Sequence, residues 1–388
     1  MRIVHTSDWH AGRVWKGRDR LNELQTILEQ LVSFIDHEHV DVLLISGDVF
    51  DNGAPAAAAE RAVFRFFRRV GGGGVKTVVI AGNHDSAARL EAWGTLTELV
   101  DVYVVARPRP ADRGGIVRFD TRCGEHAIIA AIPWAPVHEI VSALELAADA
   151  TAARQRYADW MKLLVDNLRL GFRADAINLF MAHTHLDGAR FGTSERRVHL
   201  GDDWAASAQA LPSEAHYVGL GHIHRPQRIE AAPSPTCYAG SLLQLDFGEA
   251  GEEKSFVVID ARPGRPAEIH REPYCGGIPL GRIRATLAEL ERDSTSLRDA
   301  GWLSVTVPIS APDPDLNGKV RRLLPNVLVV DSELPEEDNR RPEIDRALFT
   351  PVDLFRAYFR KEHNGVEPAD NLIEAFLELR RQAAGVDE

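Results

Sequence analysis

The stretch TVVIAGNHDSA, residues 77–87, carries a short β-branched run straight into Asn83, His84 and Asp85. Such a run reads as a strand covered on both faces. An amide, an imidazole and a carboxylate in succession at its carboxyl end are costly to bury without a ligand or a cation. The same design returns in RIVHTSD (2–8), VDVLLISGD (40–48), HAIIAAIPW (126–134), INLFMAHTH (177–185) and YVGLGHIH (217–224). Repetition of buried runs that end on polar tips predicts a layered sheet core with one polar edge.

Helical signals lie between the first runs. Leu21, Leu24, Leu28, Leu31 and Ile35 recur at spacings of three and four, one apolar stripe. The next connection opens at Pro55 and closes at Val70, before Gly71–Gly74. That glycine run lacks the Gly-Lys-Ser/Thr of a phosphate loop and reads as a turn. Strand–helix–strand alternation makes this half α/β. A long helical stretch from His138 to about Gly171 follows, with Tyr157, Trp160, Leu164 and Leu168 on one side.

Turn signals in PGRP (263–266) and YCGGIP (274–279) place a boundary near Pro279, so residues 1–279 form the main domain. Residues 280–335 are expected as a small unit of helix (283–297), strand (302–307), helix (315–324) and strand (326–331). A charged linker, 336–349, leads to a helical hairpin over 350–388, opened by Thr350, Pro351 and Asp353 in a capping-box pattern. Phe355, Tyr358, Phe359 and Phe376 on so short a hairpin predict docking, on the chain's own domain or on a partner.

With 45% hydrophobic and 26% charged residues over 388 positions, the chain has the composition of a folded protein with more than one core. No window approaches a membrane span and no secretory leader opens the sequence, so the expected location is cytoplasmic. Cys123, Cys237 and Cys275 are too few and too scattered for a disulfide framework. A net charge of −12 means that any nucleic-acid contact must rest on a local basic patch. The loop AGRVWKGRDRL (11–21) offers one, in Arg13, Lys16, Arg18 and Arg20; the plainer reading is a solvated loop anchored by Trp15.

The chemistry-bearing tips are Asp8 and His10, Asp48, Asn83 with His84 and Asp85, His183, and His222 with His224. Taken singly, each is more often a hydrogen-bonded structural group. Gathered at one crevice outside the strand ends, they would be expensive to bury without cations. Imidazole, carboxylate and amide oxygen without thiolate suit manganese, iron or zinc in a reactive rather than a structural site. A shared carboxylate such as Asp48 can bridge two ions, the usual clamp for phosphoester hydrolysis. His5, His126 and His199 lie outside the motifs and read as structural or solvated.

The strings HTSDWHAG (5–12), GDVFDNG (47–53), AGNHDS (81–86) and LGHIHRPQ (220–227) resemble, in this order, the calcineurin-like metallophosphoesterases, and more narrowly the double-strand-break repair nucleases among them. The resemblance spans nearly the whole chain. It implies a two-sheet β-sandwich flanked by helices, a small α/β DNA-capping domain and a C-terminal helical hairpin that binds a coiled-coil ATPase. It also implies one ion on Asp8, His10, Asp48 and His224, and a second on Asp48, Asn83, His183 and His222. Two manganese ions are the implied cofactor. By the same resemblance His84 would face the scissile phosphate and serve the leaving oxygen, while Asp85 would orient its neighbours. In MAHTHLDGA the family pattern favours His183, with His185 an extra neighbour. The implied activity is 3′–5′ double-strand exonuclease and single-strand or hairpin endonuclease, in a homodimer within a heterotetramer. A small-substrate phosphodiesterase and a non-catalytic scaffold of the same fold are the competing readings.

Overall fold

The computed structural model describes residues 1–136, 150–190, 206–334, 350–362 and 366–383. Met1–Glu333 form one compact unit and Leu334–Glu388 a second. The predicted linker 336–349, His138 and His199 lie outside the described residues.

Two six-stranded sheets build the first unit. One runs in the order Glu268–Pro273, Ser255–Asp260, Arg2–Thr6, Val42–Ile45, Lys76–Ile80, Val102–Val105. The other runs Gln227–Arg228, Thr236–Tyr238, Tyr217–Gly221, Ile177–His183, His126–Ile132, Ile116–Asp120. The motif-bearing strands pair in parallel within each sheet, so their carboxyl ends share an edge.

The strand period of two divides these residues between two cores. Ile3, Val42, Leu44, Val78 and Ile80 meet Ile129, Leu179 and Met181 of the other sheet. Their neighbours Val4, Leu43, Ile45 and Val79 turn to helices Leu21–His37 and Ala57–Gly72. Helix Ala150–Arg169 covers the outer face of the second sheet through Tyr157, Met161, Val165 and Leu168. The expected α/β sandwich with flanking helices is therefore the architecture. The second helix runs through Gly71 and Gly72, past its predicted end; a side chain at Gly71 would collide with the Val100 carbonyl. Among the described residues no helix is long and apolar enough to cross a membrane, and all three cysteines are free.

A three-stranded parallel sheet of Leu280–Arg284, Trp302–Pro308 and Val327–Glu333 has its own core of Leu290, Leu303, Val305, Val320 and Val327. Here the expectation of a helix from 283 is corrected. Leu280–Arg284 is a strand, and the helical part breaks into Leu287–Arg292 and Ser294–Arg298. Pairing with Trp302–Thr306 overrides the local helical pattern.

In the second unit helices Pro351–Glu362 and Asp370–Ala383 form the hairpin. The Thr350 backbone N–H donates to Asp353 and the Asp353 N–H to the Thr350 hydroxyl, completing the capping box. Phe355 and Phe376, read as outward anchors, instead stack on each other at 4.4 Å and tie the two helices together. Leu354, Tyr358, Leu372 and Leu379 are exposed on the two helices.

Candidate metal centre

All the predicted motif residues converge at the shared sheet edge. Asp8, His10 and His224 offer ligand atoms within 4.8 Å of one another, as do His10, Asp48 and His84, and Asp8, Asp48 and His183. Asn83 joins through its side-chain oxygen, 3.1 Å from His183 Nε2 and 2.9 Å from His222 Nδ1. Among the described residues these groupings take His183 and leave out His185.

The backbone is bent to make this possible. Asp8, His10, Asp48 and His222 all carry positive φ, of 51°, 48°, 50° and 98°. Non-glycine residues seldom enter this region, and strain of that kind persists only where the surroundings enforce it. The Asp8 N–H donates to the Gly47 carbonyl and the His10 N–H to the Asp48 carbonyl, lacing the first two loops together. A Cβ at Gly47, itself at φ +89°, would strike the His183 ring, and one at Gly82 would strike the Asp48 carboxylate. Those motif glycines are there because the site backs directly onto their Cα atoms.

Hydrogen bonds fix which nitrogen His183 and His224 present. His183 Nδ1–H donates to the Ser46 carbonyl at 2.7 Å, turning Nε2 toward Asn83 and Asp48. His224 Nδ1 faces the Glu249 carboxylate at 3.2 Å, and His10 Nδ1 lies 3.2 Å from Asp51. The Nε2 atoms of His10 and His224 consequently oppose each other at 3.2 Å. Two lone pairs aimed at one point, beside the Asp8 and Asp48 carboxylates, form a donor set for a cation. The residues present thus fit divalent metal ions.

The electrostatics agree. Burial disfavours a charged His183, yet Asp48 at 3.5 Å outweighs it and raises the imidazole to about 9. Burial likewise opposes ionisation of Asp48, but the charged His183 beside it holds its carboxyl well below the usual range. His10 and His222 are pushed down by burial and stay neutral, the form that ligates. The centre is built to carry positive charge beside Asp48.

His84 sits one residue beyond Asn83. Its backbone N–H donates to Asp48 at 2.8 Å and its Nδ1–H to the Asp51 carbonyl at 2.8 Å, so that Nε2 is the ring nitrogen outside both bonds. Asp85 accepts from the backbone N–H groups of Gly82, Val49 and Phe50, clamping the second and third loops together. Burial and the nearby Asp48 charge raise its carboxyl to about 6.

Three parts of the site escaped the sequence reading. Asp51 touches His10 and Arg13 with its carboxylate and holds His84 with its carbonyl. Trp134 packs 5.2 Å from the His222 ring. Glu249 buttresses His224 from 25 residues away, where no local motif marks it.

The basic loop needs one correction. Arg20 is 1% exposed, its guanidinium occupied by Glu23 and the Gln244 carbonyl, so it holds the fold and faces no ligand. Arg13 is half-buried on Asp51, beside the cluster. Lys16 and Arg18 are exposed on the hairpin Val14–Trp15/Arg18–Asp19, where Arg18 lies 4.5 Å over the Trp302 ring of the small sheet. Trp15 is the packing anchor, 4.9 Å from Phe247. His5 is structural, bonded to Tyr217 and Ser46, and His126 pairs with Asp120 at the surface.

Comparison with known proteins gives this centre its lineage. Residues 1–226 match the calcineurin-like phosphoesterase profile, and residues 277–363 match the type 5 capsule protein repressor C-terminal domain. The SbcD chain of the nuclease SbcCD from Bacillus subtilis is 30% identical over 395 residues, covering 100% of this chain and 99% of the relative. Its counterpart in Escherichia coli K12 is 29% identical over 341 residues, covering 83% and 82%. A solved dimetal phosphatase from Danio rerio covers 70% of this chain and 97% of its own at a TM-score of 0.42 and 11% identity. With residues 1–226 matched by one profile and its whole length by the Bacillus protein, the chain belongs to the calcineurin-like phosphoesterase family, in the branch of the SbcD nucleases.

Proposed function

We propose that this chain is the nuclease subunit of an SbcCD-type complex, hydrolysing DNA phosphodiesters with two divalent ions under an SbcC-type ATPase. The observation that carries this reading is the convergence of Asp8, His10, Asp48, Asn83, His183, His222 and His224 on one buried centre around Asp48. One ion would be held by Asp8, His10, Asp48 and His224, the other by Asp48, Asn83, His183 and His222. Manganese is the ion the family resemblance implies, and a nitrogen and oxygen donor set without thiolate accommodates it. When bound, such a pair supplies Lewis-acid stabilisation of the phosphoryl oxygens and a nucleophile at neutral pH.

The chain's own residues do the remainder. Asp48, which would be the shared ligand, is fixed from behind by the His84 N–H. His84, anchored at Nδ1 by Asp51, presents Nε2 to the leaving oxygen and gives it a proton or a hydrogen bond. Arg13, Lys16 and Arg18 offer positive charge to backbone phosphates; such contacts position DNA without reading its sequence. The sheet of Leu280–Glu333 serves as the DNA-capping domain. The hairpin of 350–388 docks on the ATPase coiled coil through its exposed Leu354, Tyr358, Leu372 and Leu379. The assembly is a homodimer of this chain within a heterotetramer, and it works in the cytoplasm.

The test is cleavage of an end-labelled linear duplex in manganese by the parent, Asp48→Asn and His84→Ala. The parent should cut, Asp48→Asn should not, and His84→Ala should bind metal normally yet be slower by ~10²–10⁴. Activity surviving in Asp48→Asn would refute the two-ion arrangement. Turnover of an aryl phosphodiester but of no DNA, with the ATPase present, would mark a small-substrate enzyme instead.

A further inference from the structure

Glu249 and Lys254 are a buried ion pair, with side-chain exposures of 0% and 6% and a separation of 2.7 Å. Burying two charges together seldom improves stability over apolar residues, so such a pair calls for another use. Both partners reach His224. One Glu249 oxygen lies 3.2 Å from His224 Nδ1, and the other accepts from Lys254, Ser241 and the Leu245 N–H. Lys254 Nζ also donates to the His224 carbonyl at 3.0 Å, as does the Ser241 N–H. The ring and the backbone of one residue are thus held by the two ends of one ion pair.

The same loop has a second face. The 3-10 turn Phe247–Glu249 places the Phe247 carbonyl 2.8 Å from Arg282 Nε, on the first strand of the small sheet. Gln244 Oε1 accepts the N–H of Leu280, which opens that strand. The carboxylate on His224 and the carbonyl that carries the small sheet therefore belong to one short turn.

We infer that Glu249 is the positioning residue of the ion held by Asp8, His10, Asp48 and His224, and that its loop makes that ion, not the other, respond to the small sheet. The inference rests on the two-ion reading above. It follows from geometry: Glu249 holds Nδ1–H and so aims Nε2 at His10 Nε2, whereas His183 takes its orientation from Ser46, on a different strand end.

The test is calorimetric titration of the metal-free full chain with manganese chloride, in the parent, Glu249→Gln and Arg282→Gln. In Glu249→Gln one of two binding steps should weaken about 10- to 100-fold, the usual effect of removing such a support, while the other is unchanged. Arg282→Gln, which touches no part of the site, should weaken the same step by a smaller factor. Because Glu249→Gln leaves Lys254 with Glu252, at 3.2 Å, as its one remaining counter-charge among the described residues, the double variant Glu249→Gln/Lys254→Met is run beside it; it removes both ends of the Glu249–Lys254 pair and should show the same selective loss. Unchanged affinities in the double variant, or equal weakening of both steps, would overturn the assignment. An unchanged profile in Arg282→Gln would overturn the link to the small sheet. A parent that binds fewer than two ions would instead defeat the two-ion reading itself.

Discussion

His5 shows within a single side chain how buried polar groups divide between structure and chemistry. It lies three positions before Asp8, on the same strand end, but its ring joins the two sheets through Tyr217 OH at 2.8 Å and Ser46 Oγ at 2.9 Å. Burial lowers its pKa to about 3. The folded chain therefore refuses a proton that the unfolded chain accepts below about 6.5. The neutral ring's contribution is complete above that pH and is lost progressively as pH falls toward 3. Between pH 7 and 5 the loss amounts to roughly 2 kcal/mol. Urea unfolding of the parent and His5→Gln at both pH values should show a smaller acid loss in the variant by about that amount; identical losses would contradict the burial argument.

The candidate ligands were legible because strand-end tips carry their own signal: apolar run, then Asp, Asn or His, often after a glycine. Asp51 and Trp134 were not, although they stand inside GDVFDNG and HAIIAAIPW, because nothing in those strings says what they touch, and Glu249 lies in no motif at all. Their roles come from hydrogen bonds and packing that only the fold brings together. The positive φ of Asp8, His10, Asp48 and His222 was equally hidden, because none is a residue that advertises such a conformation as glycine does.

Among elements, the hairpin Val14–Asp19 and the start of helix Leu21–His37 illustrate how one basic run splits into two roles. Lys16 stands at the tip and Arg20 is folded inward on Glu23. Lys16→Ala should weaken duplex binding, lower the salt slope by ~0.9 and leave the melting temperature in place. Arg20→Ala should instead cost roughly 3–5 kcal/mol of stability, the effect of breaking a buried pair. A binding defect in Arg20→Ala with unaltered unfolding would reverse these assignments. The helix stripe of Leu21, Leu24, Leu28, Leu31 and Ile35 was readable from period alone, and all five residues are buried. The strand Leu280–Arg284 was not readable, because its pairing partner Trp302–Thr306 lies beyond two intervening helices.

Across the first compact unit, two sheets with parallel central strands concentrate their carboxyl ends on one edge, and that edge holds every predicted metal ligand. The C-terminal hairpin belongs to the other unit. Removal of residues 350–388 should therefore spare manganese binding and thermal stability of the remainder while abolishing co-purification with the ATPase. Retention of the ATPase by the truncated chain would assign docking to another surface.

If the strand ends build one centre for two ions that share Asp48, crystals grown in manganese and measured at its absorption edge should show both. Two anomalous peaks about 3.5–4 Å apart are expected. One should lie among Asp8, His10, Asp48 and His224, and the other among Asp48, Asn83, His183 and His222. A single peak, or a second ion away from Asp48, would contradict the shared-carboxylate centre.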